Sequence, residues 1–136
     1  MKFPPPESGF TLVELLAAIA IVAVLAAIAV PSYSSFVYKG EIKTATADAK
    51  ALSLNFENTY QRTLSYPTIV AADTLTTKFT GWKPASNAFS FSAVGTAAAY
   101  TITVSGSATG YSGCKITLTH DGSCSITGCK SGNGAC

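Results

Sequence analysis

Hydrophobic and polar positions divide the chain into stretches of different period. From Phe10 to Val30 the sequence reads FTLVELLAAIAIVAVLAAIAV, and only Thr11 and Glu14 are not apolar. A helix of that length is about 31 Å long, close to the thickness of bilayer hydrocarbon, so the run is a membrane-spanning candidate. Pro4, Pro5 and Pro6 precede it; they fix φ and supply no N–H, so no helix passes through them. Beyond Pro31 the apolar positions thin to a stripe: Tyr38, Ile42, Ala45, Ala49, Leu52 and Phe56 recur at steps of three and four. This pattern predicts one helix from about Phe10 to about Tyr60, bent near Pro31, with its C-terminal half packed on a sheet. Residues 61–87 have no clear period and carry Pro67, Gly81 and Pro84. They read as a long surface connection with at most one short helical turn. Trp82, the single tryptophan, reads as a packing residue under that connection rather than a ligand platform. Strict alternation then returns in Phe89–Val94, Tyr100–Val104 and Lys115–Thr119, three strands with apolar residues toward the helix and Ser/Thr toward solvent. The expected fold class is α+β, a long N-terminal helix on a small antiparallel sheet of three to four strands.

Composition narrows the function. Charged residues make up 12% of the 136, about half the usual share, and the net charge is +2. That balance is too mild to imply a nucleic-acid surface by itself. His120 is the only histidine, which argues against His-based metal or acid–base sites. No Ser/His/Asp set, loop cluster of paired carboxylates or phosphate loop occurs, so no enzyme, cofactor or metal is expected.

All four cysteines lie near the C-terminus, at Cys114, Cys124, Cys129 and Cys136. Their spacing lacks a C-x2-C knuckle, and they follow the apolar run on what would be the oxidising side, so disulfides are expected rather than zinc. Asp121-Gly122 reads as a two-residue hairpin turn. If His120 then pairs with Ser123, Cys114 stands opposite Cys129. Cys124 points to the other face and is left to reach Cys136. That register favours Cys114–Cys129 with Cys124–Cys136, among three possible connectivities.

Glu14 does not suit a plain anchor, because an ionised carboxylate in hydrocarbon is costly. Two readings are open. Thr11-x-x-Glu14 matches a capping box, with Glu14 reaching back to the helix start. Alternatively Glu14 neutralises a positive group at the same depth, such as a free amine on Phe10 of a neighbouring molecule. A third possibility removes the question: Ala27-Ile28-Ala29 fits an ordinary secretory cleavage site, with the cut after Ala29. Against it, the apolar stretch exceeds the usual length of such signals. Ala17, Ala18, Ala20, Ala23, Ala26, Ala27 and Ala29 allow close approach of helix backbones.

Gly9-Phe10-Thr11-Leu12-Val13-Glu14, followed by the apolar run, resembles the prepilin signature of type IV pilins and the related pseudopilins. The resemblance implies a leader, residues 1–9, removed after Gly9 by a membrane-embedded prepilin peptidase that then N-methylates Phe10. The leader departs from the common pattern in being proline-rich and carrying Glu7. Residues 10–30 would be the transmembrane and filament-core segment, and residues 31–136 the head. Pro31 falls where many pilins have a helix-kinking proline. Glu14 would pair with the Phe10 amine of a neighbouring subunit and select the axial register. In the family a cysteine pair commonly ties the C-terminal region to the sheet; four cysteines here mean one staple more. The implied localisation is the inner membrane, single-pass with the head in the periplasm, and then an extracellular pilus. The implied partners are other pilin subunits, the peptidase and the inner-membrane assembly machinery. Adhesion, twitching motility and DNA uptake are the implied tasks. Two alternatives stand beside them. A DNA-binding receptor pilin would use Lys78, Lys83, Lys115 and Lys130, with Trp82 or Tyr111 stacking on bases. A type II secretion pseudopilin would be expected to carry an acidic calcium-binding cluster, whereas Asp121 stands nearly alone in the C-terminal loops.

Overall fold

A computed structural model describes residues 9–136 of the chain. The polypeptide divides into two units at Val37 and Tyr38, and one helix, α1 (Leu12–Thr63), contributes to both. Residues 1–8, which include the proline run of the expected leader, lie outside the described residues.

In the first unit α1 is apolar on every face. Its large side chains, among them Leu15, Ile19, Val22, Leu25 and Ile28, are all exposed. A helix apolar all round is one that meets no water in its working state. Pro31 lies inside α1, which continues through it without interruption. Its missing N–H leaves the Ala27 carbonyl without the usual helical partner. Nearby hydroxyls bond the backbone: Ser32 Oγ donates to the Ile28 carbonyl at 3.1 Å and Ser34 Oγ to the Pro31 carbonyl at 2.9 Å.

In the second unit the stripe read from the sequence is the core face. Ile42, Ala45, Ala49, Leu52 and Phe56 are buried, and Tyr38 is half-buried and stacked on Tyr111 with centroids 4.8 Å apart. The helix ends three residues later than its pattern suggests. Leu64 takes φ +58°, in the left-handed region, and its N–H donates to the Tyr60 carbonyl at 2.7 Å. This is the single-bond helix stop usually given to glycine. The connection that follows holds one short helix, α2 (Leu75–Lys78), and is tied to the sheet where Ile69 exchanges both backbone hydrogen bonds with Gly95.

The sheet has five antiparallel strands in chain order: β1 (Phe89–Gly95), β2 (Tyr100–Gly106), β3 (Lys115–Thr119), β4 (Cys124–Thr127) and β5 (Gly134–Ala135). The first three are the strands expected from alternation. Only the fifth exceeds the expected three to four, because β5 is two residues long and no period can reveal it. Phe89, Ala93, Tyr100, Ile102, Val104, Ile116 and Leu118 are buried with the helix stripe, while the Ser and Thr between them form the opposite face. Phe56 joins the layers: it is fully buried, stacks on Tyr100 at 4.4 Å and meets Phe79 at 4.9 Å.

Candidate functional site

The N-terminal motif forms a reciprocal cap. Thr11 N–H donates to Glu14 Oε2 at 3.0 Å, and Thr11 Oγ1 donates to the same oxygen at 2.8 Å. Glu14 N–H donates back to Thr11 Oγ1 at 3.2 Å. The capping box read from the sequence is therefore formed within one chain. The other reading is not displaced by it. An ionised carboxylate has about four acceptor positions, and these bonds use only Oε2. Phe10, directly before the cap, is 88% exposed. An 18-residue window of α1 has mean hydropathy 2.8 with none of it buried, so the segment is long and apolar enough to cross a membrane.

The cysteine-bearing tail reaches its disulfides by a different register from the one expected. Leu118 pairs with Cys124 and Ile116 with Ile126, one step away from pairing His120 with Ser123. The loop is three residues long, His120 to Gly122. Thr119 N–H donates to the Ser123 carbonyl and Gly122 N–H to the Thr119 carbonyl, both at 3.0 Å. Gly122 takes φ +82°, the left-handed residue that closes a three-residue hairpin. Asp121 selects this loop. Its Oδ1 accepts from Thr119 Oγ1 and from Ser123 N–H, and these bonds hold its carboxyl below the usual carboxylate range.

Two corrections follow. Extending the observed register places Gly128, not Cys129, across from Cys114. Cys124 shares the helix-facing side of the sheet with Leu118 rather than pointing away. The disulfides are nonetheless Cys114–Cys129 and Cys124–Cys136, with Cα atoms 4.2 and 5.3 Å apart. Gly128, at φ +66° and packed against the Gly113 carbonyl where no side chain fits, turns the chain so that Cys129 reaches Cys114. Cys136 continues the β4–β5 register directly opposite Cys124. The first disulfide is buried, while Cys136 of the second is exposed. Among the described residues no group of three or more His, Cys, Asp or Glu side chains is placed to hold a metal ion.

The four lysines suggested as a basic strip stand on separate segments. Lys78 ends α2 and pairs with Asp73 at 3.8 Å. Lys83 is exposed in the loop before β1. Lys115 opens β3, and Lys130 follows Cys129, its backbone N–H donating to Tyr38 Oη at 2.9 Å. Trp82 is no stacking platform: it is 6% exposed, lies edge-on to Phe91, and donates through Nε1 to the Asp48 carbonyl at 3.0 Å. Tyr111 is half-buried, stacked on Tyr38, and its phenol is pushed up by burial and by the charge of Glu41.

Sequence reading missed the carboxylates of the helix. Asp48 Oδ2 accepts from the backbone N–H of Ala85 and of Ser86, both at 2.9 Å, and Glu41 Oε1 accepts from the buried Ser86 hydroxyl at 2.7 Å. Glu57 Oε1 accepts from Tyr100 Oη at 2.9 Å and from Tyr66 Oη at 3.2 Å. Burial and then Glu57 raise both phenols, Tyr100 strongly. In the sequence these acids look like an ordinary solvated face. The seven-residue offset of Glu41 and Asp48, which puts both on one flank, was the available signal.

The fold and the N-terminal site define a class: an α+β head carried on a helix whose apolar first half begins with a capped carboxylate. Comparison with known proteins agrees. Residues 5–30 match the prokaryotic N-terminal methylation motif. The chain is similar to the type IV major pilin protein PilA of Myxococcus xanthus, 41% identical over 51 residues, covering 38% of this chain and 23% of that protein. A fimbrial protein of Pseudomonas aeruginosa is 36% identical over 52 residues, 38% of this chain and 34% of its own length. The type IV major fimbrial protein FimA of Dichelobacter nodosus is 31% identical over 55 residues, 40% and 34% of the two chains. The matches thus span only about a quarter to a third of these relatives. No solved structure matches the chain significantly. The similarity thus lies in the N-terminal region, to the prokaryotic N-terminal methylation motif and to proteins named as type IV pilins and fimbrial proteins.

Proposed function

We propose that the chain is a structural subunit of a type IV pilus, cut after Gly9 and N-methylated at Phe10. Before assembly residues 10–30 anchor it in the inner membrane with residues 31–136 on the periplasmic side. In the filament the same residues pack against neighbouring subunits, with Pro31 loosening the helix at the end of the run. The observation that carries this reading is Glu14: a carboxylate in the first turn of a helix that is otherwise apolar through Val30, inside the matched methylation motif. An unpaired buried charge is costly, so Glu14 opposite the Phe10 amine of a neighbour selects one axial register rather than adding much net stability. The pilin and fimbrial relatives favour a pilus over a secretion pseudopilus. The DNA-receptor alternative loses support from Trp82, which is buried, and from Lys78, which is paired.

Glu14→Val tests the reading. The variant is expected to accumulate in the membrane at normal levels while the amount in sheared filaments falls at least tenfold. Filaments of normal yield and length from Glu14→Val would contradict it.

A further inference from the structure

Two polar marks bound the apolar half of α1. Glu14 stands at its start, and no charged side chain follows until Lys39. At the far end the composition changes at Pro31, where Ala, Ile, Leu and Val give way to Ser32, Tyr33, Ser34, Ser35 and Phe36. The helix runs through both marks without a break, so its regular rise applies between them. Glu14 and Tyr33 are 19 residues apart, about 28 Å along the axis. Bilayer hydrocarbon is about 30 Å thick, so the two marks fit its two boundaries.

The side chains at both marks suit those positions. Tyr33 and Phe36 are three residues apart, on one side of the helix with Val37, and all three are exposed. An aromatic ring with a polar tip is favoured where hydrocarbon meets headgroups. The hydroxyls of Ser32 and Ser34 donate to helix carbonyls. At the other mark Glu14 Oε2 accepts from Thr11, while Oε1 has no partner among the described residues and is open to water. A hydrocarbon layer that began at Phe10 and ended at Val30 would sink Glu14 about 6 Å below the boundary, which is costly for a carboxylate. It would also lift Tyr33 and Phe36 away from the layer that favours them.

We propose that Tyr33 and Phe36 anchor α1 in the headgroup layer on the head side of the bilayer. The hydrocarbon then holds residues 15–32, and Glu14 lies at the opposite boundary in contact with water. This placement rests on the membrane-anchored state of the proposed function and moves its limits from residues 10–30. Glu14 then loses water only when the helix leaves the bilayer for the filament, so its need for a cationic partner arises at assembly.

The test places tryptophan at three exposed positions of the full chain, Leu15→Trp, Val24→Trp and Tyr33→Trp, in phosphatidylcholine vesicles. The lipids carry bromine either near the glycerol end of the acyl chain or near its methyl end. The unsubstituted chain supplies the background from Trp82. The shallow label is expected to quench residues 15 and 33 at least twofold more than the deep label, and residue 24 the reverse. Adding Tyr33→Leu and Phe36→Leu to Val24→Trp should let the helix slide and remove the preference for the deep label. Strongest deep quenching at residue 15 or 33, or an unchanged profile in that last variant, would overturn this placement and leave the membrane anchor standing. No quenching by either lipid at any of the three positions would overturn the membrane anchor itself.

Discussion

The two halves of α1 treat their apolar residues differently. From Leu12 to Val37 they are exposed in the single chain; from Tyr38 onward one stripe of them is buried under the sheet. Their carboxylates differ as well. Glu14 bonds only to the residue that caps its own helix, whereas Glu41, Asp48 and Glu57 reach loop and sheet residues 43 to 45 positions away in the cases of Tyr100 and Ser86, and 37 and 38 positions away for Ala85 and Ser86. The second half thus derives its stability from the rest of its own chain, and the first half has to obtain it from surroundings of another kind. A charge stays cheap in the first half only while its hydrogen bonds travel with it.

The comparison is sharpest at Phe56. Phe56→Ala empties the meeting point of helix, α2 and sheet and should cost the head about 3–5 kcal/mol. Leu25→Ala in the exposed half should leave head stability unchanged. Denaturation followed through Trp82, buried and unique, measures both; equal losses would erase the distinction. Next in size is Asp48→Ala. It removes the acceptor for two backbone N–H groups beside buried Ser86, and a loss of about 1–3 kcal/mol is expected. A neutral result would mean that water replaces the carboxylate there.

The smallest effect concerns pH. The Tyr100 phenol is raised in the folded state by burial and by Glu57. Below about pH 10 the phenol is neutral in both states and its contribution is whole. Above that, the unfolded chain releases the proton while the folded chain retains it, so stability falls as pH rises. Tyr100→Phe should flatten that alkaline decline, and an unchanged slope would remove Tyr100 as its cause.

Much of this was legible in the sequence, for physical reasons. The stripe from Ile42 to Phe56 and the alternation in β1 to β3 repeat with the period of the element, so burial follows from pattern. The N-terminal motif is local, and a cap three residues apart needs no tertiary information. The parts that escaped depend on single side chains acting at a distance. Asp121 bonding Thr119 and Ser123 goes with a hairpin loop one residue longer and a shifted register, and the turn at Gly128 after β4 brings Cys129 to Cys114. Leu64 ended α1 in a conformation its identity does not announce. The roles of Glu41, Asp48 and Glu57 required knowing which loops lie against each flank.

The most direct test of the central claim, that the exposed half of α1 is the N-terminus of a processed and assembled subunit, is the intact mass and first residue of the protein from native membranes or sheared filaments. The account predicts a chain that begins at N-methylated Phe10 and is lighter by the four hydrogens of two disulfides. A chain that begins at Val30, with Glu14 removed along with an ordinary signal, would contradict it.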